Sequence, residues 1–231
     1  MSRNILVIAA HPDDEVLGCG GTMAKHAQRG DRVYSAILAE GITSRDKNRN
    51  REKHTEQLSE LEKAAHKAND VLGVCSLQLF DFPDNRMDSL DRLDIVKVVE
   101  DLINQVKPDI VYTHHSGDVN IDHRRIHEAV ITACRPIPGN HLVKQILFFE
   151  VASSTEWMTA NTAPAFHPNW YVDISDTLQL KLDSLKAYEY EMRDWPHARS
   201  MKALEHLAKW RGANIGVEAA EAFILGRNIE S

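Results

Sequence analysis

The sequence predicts an α/β fold with a doubly wound, mostly parallel sheet flanked by helices. Short apolar runs alternate with longer segments of helical spacing over the first two-thirds of the chain. The first of these runs, residues 5–9, is apolar at every position, which indicates a buried parallel strand. A histidine and three acids follow it closely, and open α/β sheets place their ligand sites at such strand ends.

Strand and helix signals alternate up to residue 151. Gly30 and Gly73 end the first two helices, and Pro108 and Pro136 end the next two. This βαβα order predicts parallel strands joined by right-handed crossovers. In chain order, the predicted elements are strand 4–10, helix 16–29, strand 32–38, helix 53–72, strand 76–81, helix 90–106, strand 109–113, helix 121–134 and strand 144–151.

The last third of the chain departs from this alternation. One more strand is predicted at 170–174, and helices are predicted at 177–193 and 199–211. We expect this strand and these helices to pack on the same sheet. Residues 1–231 are then a single domain around an α/β core of about residues 1–151.

Composition argues against several kinds of partner. The formal net charge is −7 and no long basic run occurs, so we expect neither a nucleic acid nor an anionic membrane surface as partner. No apolar stretch of about 18 residues occurs, which predicts that there is no transmembrane segment. Three widely spaced cysteines, Cys19, Cys75 and Cys134, indicate a reducing cytoplasm rather than a disulfide framework.

The most informative segment is AHPDDE at residues 10–15. His11 offers a nitrogen ligand and Asp14 an oxygen ligand, a pair that suits Zn²⁺ or a similar divalent ion. Neighbouring carboxylates repel one another unless a cation neutralises them. The alternative is a helix N-terminus, where acids satisfy free N–H groups. That alternative explains Asp13 or Glu15 alone, but it does not explain His11 beside them.

A second polar cluster, residues 117–125, follows the fourth predicted strand and lies at another carboxyl end. His123 is the natural third metal ligand in this cluster. Asp122 is a candidate catalytic residue that can orient a ligand or a water. Asn120 or Asp122 can also cap the helix that follows, and both interpretations can hold together.

Three protein ligands leave a coordination position open for water, which is typical of a catalytic zinc. The metal lowers the pKa of that water, and Asp13 can accept its proton. These residues therefore predict a metal-assisted hydrolase. Structural or solvated roles are predicted for three nearby histidines, His114, His115 and His127.

The opening motif, A-H-P-D-D-E-x₂-G-x-G-G after a strand, and the later N-x-D-H resemble the PIG-L (LmbE-like) metal-dependent N-deacetylases. The resemblance extends over nearly the whole chain. It includes E-G-I-T-S-R at 40–45, D-F-P-D-N-R at 81–86, V-D-I-S at 172–175 and the late segment 218–223.

The resemblance implies a Rossmann-like, LmbE-like α/β fold with a zinc ion bound by His-Asp-His. On this chain the implied ligands are His11, Asp14 and His123, and Asp13 is the implied general base. Fe²⁺ or Co²⁺ can share such ligands. Family members remove the acetyl group from N-acetylglucosamine-type sugars on varied carriers, and some form trimers or hexamers. The resemblance thus implies a small-molecule amino-sugar substrate and allows a homo-oligomer.

The chain differs from many family members at Asn120. Many members have a histidine there, which assists the tetrahedral intermediate or the leaving amine. An amide donates a hydrogen bond to an oxyanion but cannot act as a general acid, so Asn120 is predicted as a catalytic hydrogen-bond donor. Asp13 or His197 is then the candidate source of the proton for the amine.

Three residues are candidates for substrate binding: Arg45, Arg86 and His197. Many members carry an arginine in the helix after the second strand, and Arg45 or Arg51 can replace it. Two other functions stay open at this point. One is an amidase that acts on a thiol conjugate or another acyl amide, and the other is a metal-dependent sugar-binding protein without turnover.

Overall fold

The computed structural model describes residues 2–230 and contains a seven-stranded sheet flanked by helices. The strands are β1 (Asn4–Ala9), β2 (Arg32–Ala39), β3 (Ser76–Phe82), β4 (Ile110–His114), β5 (Gln145–Phe149), β6 (Trp170–Asp173) and β7 (Ala220–Asn228). The α-helices are α1 (Asp14–Gln28), α2 (Thr55–Val71), α3 (Arg92–Val106), α4 (Ile121–Ala133), α5 (Leu178–Leu185) and α6 (Met201–Ala213). Within the described residues, no helix has both the length and the apolar character needed to cross a membrane.

The strand order is β3-β2-β1-β4-β5-β7-β6. β1 to β5 run parallel, whereas β7 runs antiparallel to both β5 and β6. The chain moves outward from β1 in one direction to β2 and β3, and then returns to add β4 on the other side. This reversal creates a crevice outside the carboxyl ends of β1 and β4, where ligands bind in open α/β sheets. The predicted doubly wound, mostly parallel sheet is confirmed.

Alternate residues of β1 pack against opposite helical layers. Ile5 and Val7 face a cluster that includes residues of α1, α2, α5 and α6, whereas Leu6 and Ile8 face a cluster that includes residues of α3 and α4. Both faces are therefore covered, which is why the strand is a continuous apolar run.

Helix α1 lies unusually close to its neighbours. A Cβ on Gly18 would lie 2.3 Å from Cδ2 of Phe149, and one on Gly21 would lie 2.7 Å from Cδ1 of Ile174. Glycine at these two positions therefore allows α1 to approach β5 and the segment after β6 closely.

In the last third of the chain, one predicted helix is wrong in its length and one strand is missing from the prediction. The helix predicted at 177–193 ends at Leu185 and continues only as a short 3₁₀ turn, Lys186–Tyr188. The turn directs Tyr188 inward, where its hydroxyl donates to Glu15. The strand β7 was not predicted, because Glu221 and Gly226 interrupt its apolar pattern. Glu221 is nevertheless buried, because its carboxylate accepts backbone N–H groups of α1.

Candidate metal and catalytic site

A short turn after β1 presents Asp13 and Asp14 at the carboxyl end of the strand. Asp13 has a φ of 112°, a left-handed conformation that a non-glycine residue adopts only under local restraint. Its backbone N–H donates to Oε2 of Glu15 at 3.1 Å. The other carboxylate oxygen of Glu15 accepts hydrogen bonds from Tyr188 and Asn69. Glu15 is fully buried, so it anchors this turn rather than serving only as a first-turn acid.

His11, Asp14 and His123 meet beside the crevice between β1 and β4. Nδ1 of His11 lies 3.1 Å from Oδ2 of Asp14, and Nε2 of His123 lies 3.0 Å from the same oxygen. One ligand atom from each of the three lies within 4.8 Å of the others. The structure thus brings the three predicted ligands together from the end of β1, the start of α1 and the first turn of α4.

Each of the two histidines has a buried carboxylate behind it. Nε2 of His11 lies 3.0 Å from Oδ2 of Asp122, and Nδ1 of His123 lies 3.1 Å from Oδ2 of Asp118. Carboxylates in this position fix the ring orientation and the tautomer of metal-binding histidines. They also direct the other ring nitrogen of each histidine toward Asp14.

Asp122 is fully buried and is not among the cavity-lining residues of the described chain. Besides its contact with His11, its carboxylate accepts the backbone N–H groups of Asn85, at 2.6 Å, and Met87, at 2.9 Å. Of the two roles predicted for Asp122, orienting a ligand fits this position, whereas orienting a water in the cavity does not.

Asp118 has an equivalent position behind His123, and the sequence pattern does not single it out. The hydroxyls of Ser154 and Thr155 both donate to its carboxylate. These residues come from the distant segment after β5. The only sequence signal for Asp118 is its membership of the cluster 117–125.

The charges of the cluster suit a cation. Burial opposes the charged form of Asp14, but His123 and His11 outweigh it and hold the pKa of Asp14 well below its ordinary value. Burial also lowers the pKa of His123, but Asp14 and Asp118 outweigh this and raise it to about 9. A metal-bound imidazole must be neutral, so metal binding is expected to displace a proton from His123.

The three residues fit a divalent metal. Two imidazole nitrogens and one carboxylate oxygen form a donor set that suits Zn²⁺, Fe²⁺ or Co²⁺. Nε2 of His123 is buried, and although it lies 3.0 Å from Oδ2 of Asp14, neither that contact nor any other between residues 2 and 230 has hydrogen-bond geometry. A buried polar atom without a partner is unfavourable, and a metal at this point would provide the missing partner.

Asp13 lines the cavity and has an arginine as its partner. Nη1 of Arg199 donates to Oδ2 of Asp13 at 2.9 Å, and Nε of Arg199 donates to Oγ of Ser153 at 3.1 Å. Burial raises the pKa of Asp13 well above its ordinary value, and the charge of Arg199 opposes part of this rise. A raised carboxyl pKa is typical of a general base that works near neutral pH. No motif in the sequence points to Arg199.

Asn120 is the N-cap of α4 and also lines the cavity. Its Oδ1 accepts the backbone N–H of Asp122 at 2.8 Å. This contact defines the orientation of the amide, so Nδ2 is directed away from the helix and donates to Oδ1 of Asn85 at 2.9 Å. The predicted cap is therefore present, and the remaining N–H of Nδ2 is free to serve as a donor.

The metal-ligand cluster opens into a cavity of about 490 Å³, within the usual range for small-molecule sites. Arg45 lies in its wall and pairs with Glu191 at 2.8 Å. Among the described residues, neither Arg86 nor His197 belongs to the cavity lining. Arg86 donates to backbone carbonyl groups of the 43–50 loop, and Nδ1 of His197 accepts the backbone N–H of Arg199. Their predicted contact with substrate has no support in this arrangement.

The three other histidines of this region bond to the backbone. Nε2 of His114 accepts the N–H of Ala10, Nε2 of His115 donates to the carbonyl of Pro164, and Nδ1 of His127 donates to the carbonyl of His114. The ring of His114 stacks on that of His123, with 3.9 Å between the centroids. These contacts fit the structural roles predicted for all three.

Fold and site together define a candidate α/β metalloenzyme, and sequence comparison identifies its family. The family model described as PIG-L, GlcNAc-PI de-N-acetylase, matches residues 6–134. The uncharacterized deacetylase YaiS of Escherichia coli (strain K12) is 31% identical over 193 residues, covering 81% of this chain and 91% of that protein. The chain belongs to the PIG-L family, a family of deacetylases and therefore of hydrolases.

Two further proteins show how far the similarity extends. A probable N-acetyl-alpha-D-glucosaminyl L-malate deacetylase 2 of Bacillus anthracis is 25% identical over 188 residues, 80% of this chain and 80% of that protein. The structure of GalB, a 4-carboxy-2-hydroxymuconate hydratase from Pseudomonas putida KT2440, has a TM-score of 0.78 at 21% identity and covers 99% of this chain and 98% of that one. The latter likeness concerns the fold alone, because one fold hosts different chemistries.

Proposed function

We propose that this protein is a metal-dependent hydrolase that removes the N-acetyl group from an N-acetylglucosamine-type amino sugar or its conjugate. The observation that carries the proposal is the convergence of His11, Asp14 and His123 beside a cavity that Asp13 also lines. Membership of a deacetylase family supports the reaction. The family description and the name of the Bacillus anthracis relative support the substrate class.

In this proposal His11, Asp14 and His123 hold Zn²⁺, Fe²⁺ or Co²⁺. Such a metal, when bound, polarises the amide carbonyl and lowers the pKa of a water. Asp13 accepts a proton from the attacking water. Arg199 occupies Oδ2 of Asp13, which leaves Oδ1 to accept that proton.

The second half of the reaction breaks the carbon–nitrogen bond. Nδ2 of Asn120 donates a hydrogen bond to the oxyanion that develops on the carbonyl oxygen. Asp13 then returns its proton to the nitrogen of the leaving amine. One amide and one water thus give one acetate and one protonated amino sugar: Asp13 returns the first water proton to the nitrogen, and the second passes to the amine from the carboxyl group that has formed.

The test compares acetate release and metal content in three proteins. Asp13→Asn is expected to lower kcat by about a hundredfold or more, because proton transfer contributes factors of this size, and to keep its metal. Asp14→Ala is expected to lose metal as measured by elemental analysis. Asp101→Asn, an exposed change on α3, is the control and is expected to match the wild type.

Two results would contradict the proposal. If the metal-loaded wild type bound N-acetyl sugars but released no acetate from any of them, it would be a sugar-binding protein. If Asp13→Asn kept full activity, Asp13 would not be the base.

A further inference from the structure

A second cavity, of about 280 Å³, adjoins the catalytic cavity and is here called the annex. Its apolar wall consists of Ile42, Leu61, Ala64, Ala187, Tyr188 and Tyr190. These residues come from the loop after β2, from α2 and from the segment after α5. Tyr190 is 81% exposed, although it is a large side chain beside a candidate active site. An exposed apolar surface of this kind is typical of a binding site.

The annex and the catalytic cavity are neighbours that share four lining residues: Ile42, Arg45, Leu61 and Glu191. The polar part of this shared lining is the ion pair between Nη2 of Arg45 and Oε1 of Glu191. The side chain of Arg45 is 53% exposed, and ion pairs exposed to this degree are weak. A ligand that extends from one cavity into the other can therefore displace this pair easily.

Charge restricts what the annex can hold. Glu56, Glu60 and Glu191 belong to its lining, and Arg45 is the lining cation among the described residues. Glu191 already neutralises Arg45. Lys63, which lies outside the lining, pairs with Glu60 at 2.8 Å, so Glu56 provides the remaining negative charge. A carboxylate or phosphate placed here would face an excess of negative charge, whereas an uncharged or cationic group would not.

We propose that the annex binds an apolar, uncharged or cationic aglycone, the non-sugar group attached to the amino sugar. This inference rests on the proposed function. The acetyl group must lie at the metal site, and it is too short to reach a neighbouring cavity as well. Because the acetyl group occupies the metal site, we assign the annex to the aglycone.

The experiment measures kcat/KM for acetate release from three N-acetylglucosaminides with methyl, phenyl and 4-carboxyphenyl aglycones. Burial of a phenyl ring is expected to give the phenyl glycoside an advantage of about tenfold over the methyl glycoside. The carboxylate is expected to remove most of that advantage. Equal values for the phenyl and methyl glycosides, or a preference for the carboxylate, would overturn the proposal.

Two variants locate the effect in the annex. Tyr190→Ala removes part of the apolar wall, and Ala64→Phe fills the space, so both are expected to bring the phenyl-to-methyl ratio close to one. Lys67→Phe places the same new side chain one turn later on α2, at an exposed position that lines neither cavity, and should keep the wild-type ratio. An unchanged ratio in both annex variants would overturn the proposal. So would a loss confined to substrates with longer N-acyl groups, because the annex would then hold the acyl chain.

Calorimetry with the deacetylated phenyl and methyl glucosaminides separates this inference from the proposed function. If no glycoside releases acetate, the proposed function fails. The proposal for the annex still predicts that the phenyl compound binds the wild type about tenfold more tightly than the methyl compound. Tyr190→Ala should remove this difference in affinity. Equal affinities would overturn it.

Discussion

Arg199 holds the carboxylate on which the proposed mechanism depends. One end of its guanidinium reaches Oδ2 of Asp13 at 2.9 Å, while Nε reaches Oγ of Ser153 at 3.1 Å. The planar guanidinium makes these contacts from two nitrogens at a fixed separation, whereas lysine donates from a single nitrogen on a flexible stem. In the proposed mechanism, Arg199 therefore determines which oxygen of Asp13 accepts the proton of the water.

Arg199→Lys is expected to lower kcat by about tenfold and to change KM little, because the charge remains while the orientation of Asp13 is lost. Steady-state kinetics on an N-acetylglucosaminide measures both constants. The exposed change Arg135→Lys is the matched control and should leave both unaltered. A raised KM with an unchanged kcat would show instead that Arg199 contacts the substrate.

The site residues differ in how far sequence predicts them. His11 and Asp14 follow β1, and His123 lies in the first turn of α4, the helix that follows β4. Because parallel strands end at the same edge, the proximity of these residues follows from the fold. Arg199 and Ser154 belong to segments whose paths no local pattern determines. Their contacts with Asp13 and Asp118 exist only once the whole chain has folded.

Helix α1 is interrupted in its middle, and side chains from two other elements complete it. Cys19 has a non-helical φ of −149°. The carboxylate of Glu221 on β7 accepts the N–H groups of Gly21 and Thr22, at 3.0 and 2.7 Å. Nζ of Lys181 on α5 donates to the carbonyl of Leu17 at 2.8 Å and to Glu221. The buried pair thus satisfies backbone groups that the interruption would leave unpaired.

Lys181→Met is expected to lower the free energy of unfolding by about 3 kcal/mol, because it leaves the buried charge of Glu221 without its partner. Urea denaturation measures this change. Lys186→Met, at a position whose side chain is 67% exposed, should cost less than about 0.5 kcal/mol. Adding Glu221→Gln to Lys181→Met should recover part of the loss. Equal effects of the two single lysine variants would show that the buried pair contributes nothing.

At the level of elements, sequence periodicity predicts the parallel half of the sheet and not the antiparallel strand. The β1–β5 segments carry a helix between each pair, which separates their signals. Glu221 interrupts the apolar pattern of β7 because its carboxylate accepts backbone N–H groups of α1. A residue selected for a distant partner weakens the local signal of its own strand.

The two edges of the sheet differ in the number of buried acidic residues they hold. The carboxyl edge collects Asp13, Asp14, Asp118 and Asp122, all of them buried, and so depends on cations and hydrogen-bond donors. Arg199 offsets the charge of Asp13. His11 and His123 face the other three acids, so protonated histidines or a bound metal offset the remaining repulsion. The opposite edge holds Asp31, which has a cationic partner, Arg3, within the chain. Stability of the whole molecule in acid is therefore expected to depend on Asp31 in a way that is independent of the metal.

Asp31 joins the start of β1, the end of α1 and the start of β2. Its carboxylate accepts the N–H of Arg3 at 3.0 Å, pairs with the Arg3 guanidinium at 2.9 Å, and lies 2.7 Å from Nδ1 of His26. Burial would raise its pKa, but the hydrogen bonds from His26 and Arg3 outweigh it and lower the pKa to about 2. Because the folded pKa lies below the unfolded one, Asp31 stabilises the protein above about pH 4 and loses this effect as the pH falls toward 2.

The expected contribution of Asp31 is about 1 kcal/mol after allowance for screening by solvent. Unfolding free energies of the metal-free wild type and of Asp31→Asn, measured in urea between pH 7 and pH 2, provide the test. The variant should be less stable at pH 7, and the difference should shrink between pH 4 and pH 2, where the wild-type carboxylate takes up its proton. Asp101→Asn, which is exposed, should track the wild type throughout. A difference between wild type and Asp31→Asn that stayed constant down to pH 2 would mean that the lost contacts, and not the charge of Asp31, hold this edge of the sheet.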